Sequence, residues 1–113
     1  MRELDVHQVA ALAGGSPRAL LLDVREPWEV ALARIDVPGL DWRHVPMGQV
    51  PQRVEELERD FGLEQPIAVY CHHGVRSLQV VAFLSRQGFD VVYNLAGGID
   101  AWSEEIDPSV PRY

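Results

Sequence analysis

Three short apolar runs constrain this chain more than any other feature: LLLDV within residues 18–24, IAVY at 67–70 and VVYNL at 91–95. Each has the length of a strand and leads through a turn or loop into helical periodicity. Strands alternating with helices predict an α/β fold. Its four- to five-stranded sheet should be mainly parallel, with helices on both faces. Successive strand C-terminal ends then fall on one edge, so Asp23, Val24 and Arg25 are expected to share that edge with Cys71.

The intervening segments carry their own stop and start signals. Asp5 with Gln8 forms a helix-capping pair, and the helix it opens should end at Gly14 and Gly15. Glu26, Pro27, Trp28 and Glu29 place a proline and acids at a helix start, continued by residues 30–33. Residues 35–46 read as irregular, with one short strand near 43–45. Residues 49–61 read as one amphipathic helix with Val50, Val54, Leu57 and Phe61 inward, stopped at Gly62. Residues 77–87 form a further helix, with Val80, Val81 and Leu84 on one side and Gly88 as its left-handed cap. Gly97 and Gly98 make a turn, 99–105 a short last helix, and 107–113, with its two prolines, an extended tail. The expectation is one domain over residues 1–113, with no repeat and no linker.

Charge excludes several function classes. The net charge is −7, and two stretches carry all of it. Residues 53–64 hold five acids and two arginines, and 100–107 hold four acids and no base. That balance argues against nucleic acid and against anionic membranes as partners. The absence of lysine excludes Schiff-base chemistry on a lysine side chain. Met1, Arg2 and Glu3 lead straight into a polar amphipathic segment, so no signal peptide is expected, and no apolar run approaches membrane-spanning length. One cysteine and no CxxC motif favour a reducing compartment, the cytoplasm.

The chemistry concentrates in YCHHGVRS, residues 70–77, where a strand runs into a helix. Cys71 stands at the strand's C-terminal end, facing a helix N-terminus where unpaired N–H groups gather. Free cysteine titrates near about 8.5, and such surroundings lower that to roughly 3.5–7.5. Arg76 would add a nearby cation. The loop is suited to an anionic sulfur.

These residues resemble the rhodanese family of sulfurtransferase domains, and the resemblance covers nearly the whole chain. LLDVRE at 21–26 is similar to the first family signature and VPM at 45–47 to a middle strand exit. YCHHGVRS is similar to the active-site loop, with a helix ending in QGF after it, and NLAGGIDAW at 94–102 to the C-terminal signature. Four pieces in family order are far more specific than one. One departure stands out: Ala33 and Arg34 precede Ile35 where many members have glycine and histidine. Packing rather than chemistry should differ there.

The resemblance implies a rhodanese-like domain that needs no cofactor and no metal. In it Cys71 takes sulfane sulfur from thiosulfate or another persulfide donor and passes it to a thiol or cyanide. The persulfide would be held by loop N–H groups of His72, His73, Gly74, Val75, Arg76 and Ser77. Against this stands the plainer reading of Cys71 as a small buried hydrophobe. Arg76 should face the anionic donor. Gly74 should serve backbone geometry, and Ser77 should cap the helix. His72 and His73 should line the rim, since consecutive side chains point apart and do not converge on zinc. Asp23 and Arg25 are expected as a supporting pair that braces the loop. Trp28, Trp42 and Trp102 read as core or rim aromatics.

Two other functions compete. One is a non-enzymatic or partner-dependent module that carries or binds sulfur, for which the loop would look the same. The other is a phosphatase or arsenate reductase. Related phosphatases carry one more loop residue than the six positions from Cys71 to Arg76, so a phosphate would be cramped.

Overall fold

The structure, a computed structural model, describes residues 2–113. The strands are β1 (Glu3–Leu4), β2 (Leu20–Asp23), β3 (Asp41–His44), β4 (Ile67–Tyr70) and β5 (Val92–Leu95). They form one five-stranded sheet in the order β1-β5-β4-β2-β3, and every pairing is parallel. Asp23 sits opposite both Tyr70 and His44, so the C-terminal ends of β2, β3 and β4 are level. That register brings the segments after β2 and β4 together. Two-residue β1 was not expected, because a strand that short leaves no periodicity to read.

The central strands β2, β4 and most of β5 are buried on both faces because their alternate residues enter two separate cores. Leu20, Leu22, Ile67, Val69 and Val92 meet Leu57, Val80, Val81 and Leu84 on one face. These come from α3 (Val54–Phe61) and α4 (Arg76–Arg86). Leu21, Ala68, Tyr70 and Leu95 meet Val6, Val9, Ile99 and Trp102 on the other. Those belong to α1 (Val6–Ala10) and α5 (Gly98–Glu105). A covalent alternation of period two thus becomes two apolar layers, each out of water.

Three local expectations change. The capping box holds, with Gln8 N–H donating to Asp5 Oδ1 and Asp5 N–H to Gln8 Oε1, yet α1 proper stops at Ala10. The helix expected over 49–61 is really two 3₁₀ turns, Met47–Gln49 and Pro51–Arg53, followed by α3. Pro51 has no N–H for an i−4 bond, so a regular helix cannot run through it. The tail is bent rather than extended, since Val110 N–H donates to Asp107 O and Val110 is buried. The departure at Ala33 and Arg34 is absorbed by stacking: the Arg34 guanidinium lies 3.9 Å over the Trp42 ring.

The remaining helix, α2 (Pro27–Leu32), is inverted relative to the others. Its buried residue is Glu29, while Trp28 and Leu32 are 62% and 51% exposed. No apolar stripe explains that orientation; the acid's partners do.

Candidate functional site

Cys71 leaves β4 at the C-terminal edge of the sheet and is 1% exposed. Its sulfur accepts the Gly74 N–H at 3.1 Å and lies 3.3 Å from Ser77 Oγ. To return that N–H toward the sulfur, the loop turns at Gly74 with φ +96°. A Cβ there would also crowd Gly97 N at 3.1 Å and Leu95 O at 3.3 Å. Glycine is needed for both reasons.

Ser77 does not cap α4 as expected; it stands inside the first turn, and its hydroxyl is given to the site. Asn94 explains how. Its Nδ2 donates to Glu3 Oε2 at 2.9 Å and to Gly74 O at 3.1 Å, which leaves Oδ1 facing Ser77. The Ser77 hydroxyl donates to that Oδ1, and its oxygen also lies beside the sulfur, where it accepts from a Cys71 thiol or turns its one proton to a thiolate. Burial pushes the Cys71 thiol up. The Ser77 hydroxyl, the N–H groups of Ser77 and Gly74, and the Arg76 charge outweigh it and hold the thiol below its ordinary value.

The head of the loop is pinned by α5. Ile99 N–H donates to Cys71 O at 2.9 Å and Asp100 N–H to His72 O at 3.1 Å. Two otherwise unpaired donors of a helix start are thereby satisfied. Any Cβ at Gly98 would overlap both of those carbonyl oxygens. The glycine pair expected as a turn is thus a close backbone contact with the site.

Arg76 is not free to turn to a ligand. Its Nη1 and Nη2 both donate to the Glu29 carboxylate at 2.7 Å, a forked pair. The Arg76 bonds, with help from Glu26 N–H and the Tyr113 hydroxyl, overcome burial and hold Glu29 down to about 2. Glu29 in turn holds the Arg76 guanidinium above its usual value. Arg76 therefore supports the sulfur by charge at a distance.

Asp23 and Arg25 are buried rather than solvated, and their pairing is bidentate. Arg25 Nη2 donates to Asp23 Oδ2 at 2.7 Å and Nε to Oδ1 at 2.9 Å, and both side chains have no solvent exposure. Burial alone would lower the Arg25 guanidinium, but the Asp23 carboxylate holds it above its ordinary value. Arg25 also donates to Ala33 O at 2.6 Å, past the end of α2, and to the Tyr113 hydroxyl at 2.9 Å. The pair ties the end of β2 to the residue after α2.

His72 and His73 do not point apart; their rings stack 3.9 Å apart at 22°. His73 is exposed, but His72 is half-buried, and its Nε2 is buried without a partner among the described residues. Burial, then the neighbouring His73, lowers His72 from its usual value, so it is neutral at pH 7. Both rings lie near Asp100, which makes the trio resemble a metal cluster. Their ligand atoms all lie within 4.8 Å of one another. Asp100 is also engaged by Arg112 at 3.0 and 3.2 Å. Val75, at 69% exposed, adds an apolar side chain to the loop's outer surface. Of the aromatic expectations, Trp102 is core, Trp42 half-buried and Trp28 exposed. A surface depression lined by Arg18, Asp41 and Phe61 lies at the opposite edge, where β2 and β3 begin.

Three site residues escaped the sequence reading: Glu29, Asn94 and Tyr113. An amide inside the apolar run VVYNL was a usable signal for Asn94. Glu29, flanked by Trp28 and Val30, was weaker, and Tyr113 had no signal at all.

A cysteine cradled by donors at the C-terminal edge of a doubly covered parallel sheet defines an anion-holding thiol site on an α/β scaffold. The chain belongs to the rhodanese-like domain family, whose model matches residues 5–105. It is similar to a protein named sulfurtransferase from Allochromatium vinosum, with 34% identity over 97% of this chain and 95% of that protein. A chloroplastic rhodanese-like/PpiC domain-containing protein of Arabidopsis thaliana is 40% identical over 84% of this chain, which spans 30% of that longer protein. Among solved structures, a rhodanese-related protein from Thermoplasma volcanium superimposes with a TM-score of 0.77 at 30% identity, each chain fully covered. The family is thus one with sulfurtransferases among its members.

Proposed function

We propose that the protein is a sulfurtransferase that carries sulfane sulfur as a Cys71 persulfide. The observation that carries this reading is the cradle itself: one buried sulfur, donors from Gly74 and Ser77 upon it, and a thiol held below its ordinary value. In the first step the Cys71 thiolate attacks the outer sulfur of thiosulfate. A new S–S bond forms, the old one breaks, and sulfite leaves with the bonding electron pair. In the second step a thiolate or cyanide attacks the outer sulfur of the persulfide, and the Cys71 thiolate departs as leaving group. Splitting the transfer into two displacements is covalent catalysis. His72, His73, Val75 and Arg76 complete the loop, and Asp23 with Arg25 supports it. The reaction as written uses no cofactor or metal. A reducing compartment such as the cytoplasm would keep the thiol available.

One observation favours a second reading, a carrier that takes sulfur from or gives it to a protein partner. Arg76 is neutralised by Glu29, which weakens the pull on a small dianion. Meanwhile Trp28, Leu32 and Val75 are exposed on the two elements that this pair bridges. A phosphatase reading is less favoured, because the loop donates inward onto a single sulfur.

Intact mass after incubation with thiosulfate tests the proposal. The wild type should gain one sulfur atom that cyanide removes, and Cys71→Ala should gain none. A Cys71→Ala protein that still transfers sulfur would overturn it. A wild type that takes sulfur only from a protein persulfide would move the carrier reading ahead.

A further inference from the structure

The tail residues 107–113 cross the site, and their attachments are specific. Val110 is buried, and its carbonyl accepts the Ser103 hydroxyl. Arg112 forks onto Asp100 of α5. Tyr113 then reaches the centre of the polar network. Its hydroxyl accepts from Arg25 Nη1 at 2.9 Å and donates to Glu29 Oε1 at 2.9 Å. Its ring lies 3.9 Å from the His72 ring at 9°, and Trp28 meets it edge-on at 6.1 Å.

We propose that Tyr113 is a positioning residue of this site, holding Arg76 beside Cys71 through Glu29 and steadying the loop head through His72. The inference rests on the Cys71 sulfur-carrier reading and adds a residue to it. The Glu29 carboxylate has four acceptor positions, and four donors fill them: both Arg76 nitrogens, Glu26 N–H and the Tyr113 hydroxyl. Arg25 anchors this set, because it has no exposure and is itself fixed by Asp23 and Ala33 O. A continuous chain therefore runs from the end of β2 through Arg25, Tyr113 and Glu29 to Arg76. The Arg76 side chain is 37% exposed, and its two guanidinium hydrogen bonds both go to Glu29. Without the Tyr113 hydroxyl, the Glu29 carboxylate keeps Glu26 N–H as its one partner besides Arg76, and the Glu29–Arg76 side-chain pair moves outward as a unit. Water then screens the guanidinium from the sulfur. The ring acts separately: it covers one face of His72 while His73 covers the other.

The test uses the full chain as wild type, Tyr113→Phe and Tyr113→Leu. The phenylalanine keeps the stack and loses the hydroxyl, whereas leucine loses both. The first readout is the pH profile of iodoacetamide alkylation, followed by intact mass, since Cys71 is the only thiol. Its midpoint should move to higher pH in Tyr113→Phe and further in Tyr113→Leu. The second readout is the thiosulfate KM with cyanide as acceptor. It should rise by roughly three- to tenfold in Tyr113→Phe, the worth of one net hydrogen bond, and by more than kcat falls. A Tyr113→Phe protein with the wild-type alkylation profile and KM overturns the proposal, even if its thermal midpoint drops. Should Tyr113→Leu fail to fold, Tyr113→Phe still decides. If the wild type takes no sulfur from thiosulfate, the thiosulfate step fails by itself and the carrier reading moves ahead, while the alkylation profile still tests Tyr113.

Discussion

Helices α2 and α3 are both short and both mix acids with apolar side chains, yet they face the sheet in opposite senses. In α3, Leu57 is buried, Val54 and Phe61 pack on the same core, and the acids face outward. In α2, Glu29 is buried, while Trp28 and Leu32 are exposed. Their ion pairs have similar lengths: Arg43 lies 2.7 Å from Glu56, and Arg76 lies 2.7 Å from Glu29. Surroundings separate the two. Glu56 meets water, which screens the pair, but Glu29 is 3% exposed and depends on its donors. One helix holds the fold by hydrophobic burial, and the other holds a site by hydrogen bonding.

That contrast is sharpened by three substitutions. The largest effect is expected at Leu57→Ala, which removes a fully buried side chain from the α3 core. It should cost about 2–5 kcal/mol of unfolding free energy, measured by urea titration. Sulfur uptake per folded molecule should stay at the wild-type level, and a changed uptake would blur the division between the two helices.

Glu29→Gln should come next. Glu29 lies near 2 when folded, below the ordinary carboxylate value of 4.5. Its contribution is therefore complete above about 4.5 and is lost as pH falls toward about 2, on the order of 3 kcal/mol. The glutamine variant should be less stable at neutral pH, and its stability should fall less steeply between those two values. Equal acid limbs in the two proteins would show that Glu29 is not held as the geometry implies. Glu56→Gln should do least. The thermal midpoint should stay within about 2–3 °C of wild type, as for exposed substitutions generally. A large drop there would erase the distinction between exposed and buried pairs.

Much of this molecule was legible as local pattern. The runs at β2, β4 and β5 showed themselves as strands because parallel strands buried on both faces need continuous apolar residues. The Asp5–Gln8 capping box was readable because its partners lie three residues apart. The Cys71 loop was readable because a strand, a six-position loop and a helix succeed one another without interruption. Where local reasoning failed, a competing local rule or a distant partner was responsible. Pro51 broke the long helix, and Ser77 preferred Cys71 and Asn94 to a cap. Arg76 pairs with Glu29 instead of standing open to an anionic donor.

The order of the main elements, the position of the single cysteine and the conformational demand at Gly74 belong to the sequence alone, because each depends on neighbours a few residues away. Strand order, the inversion of α2 and the network around the sulfur belong to the tertiary structure. Glu29 meets Arg76 across 47 positions, and Tyr113 meets Glu29 across 84 and Arg25 across 88. No periodicity spans such distances. These groups find one another only when the sheet has brought the ends of β2 and β4 side by side and excluded water, leaving each polar group to be satisfied by another.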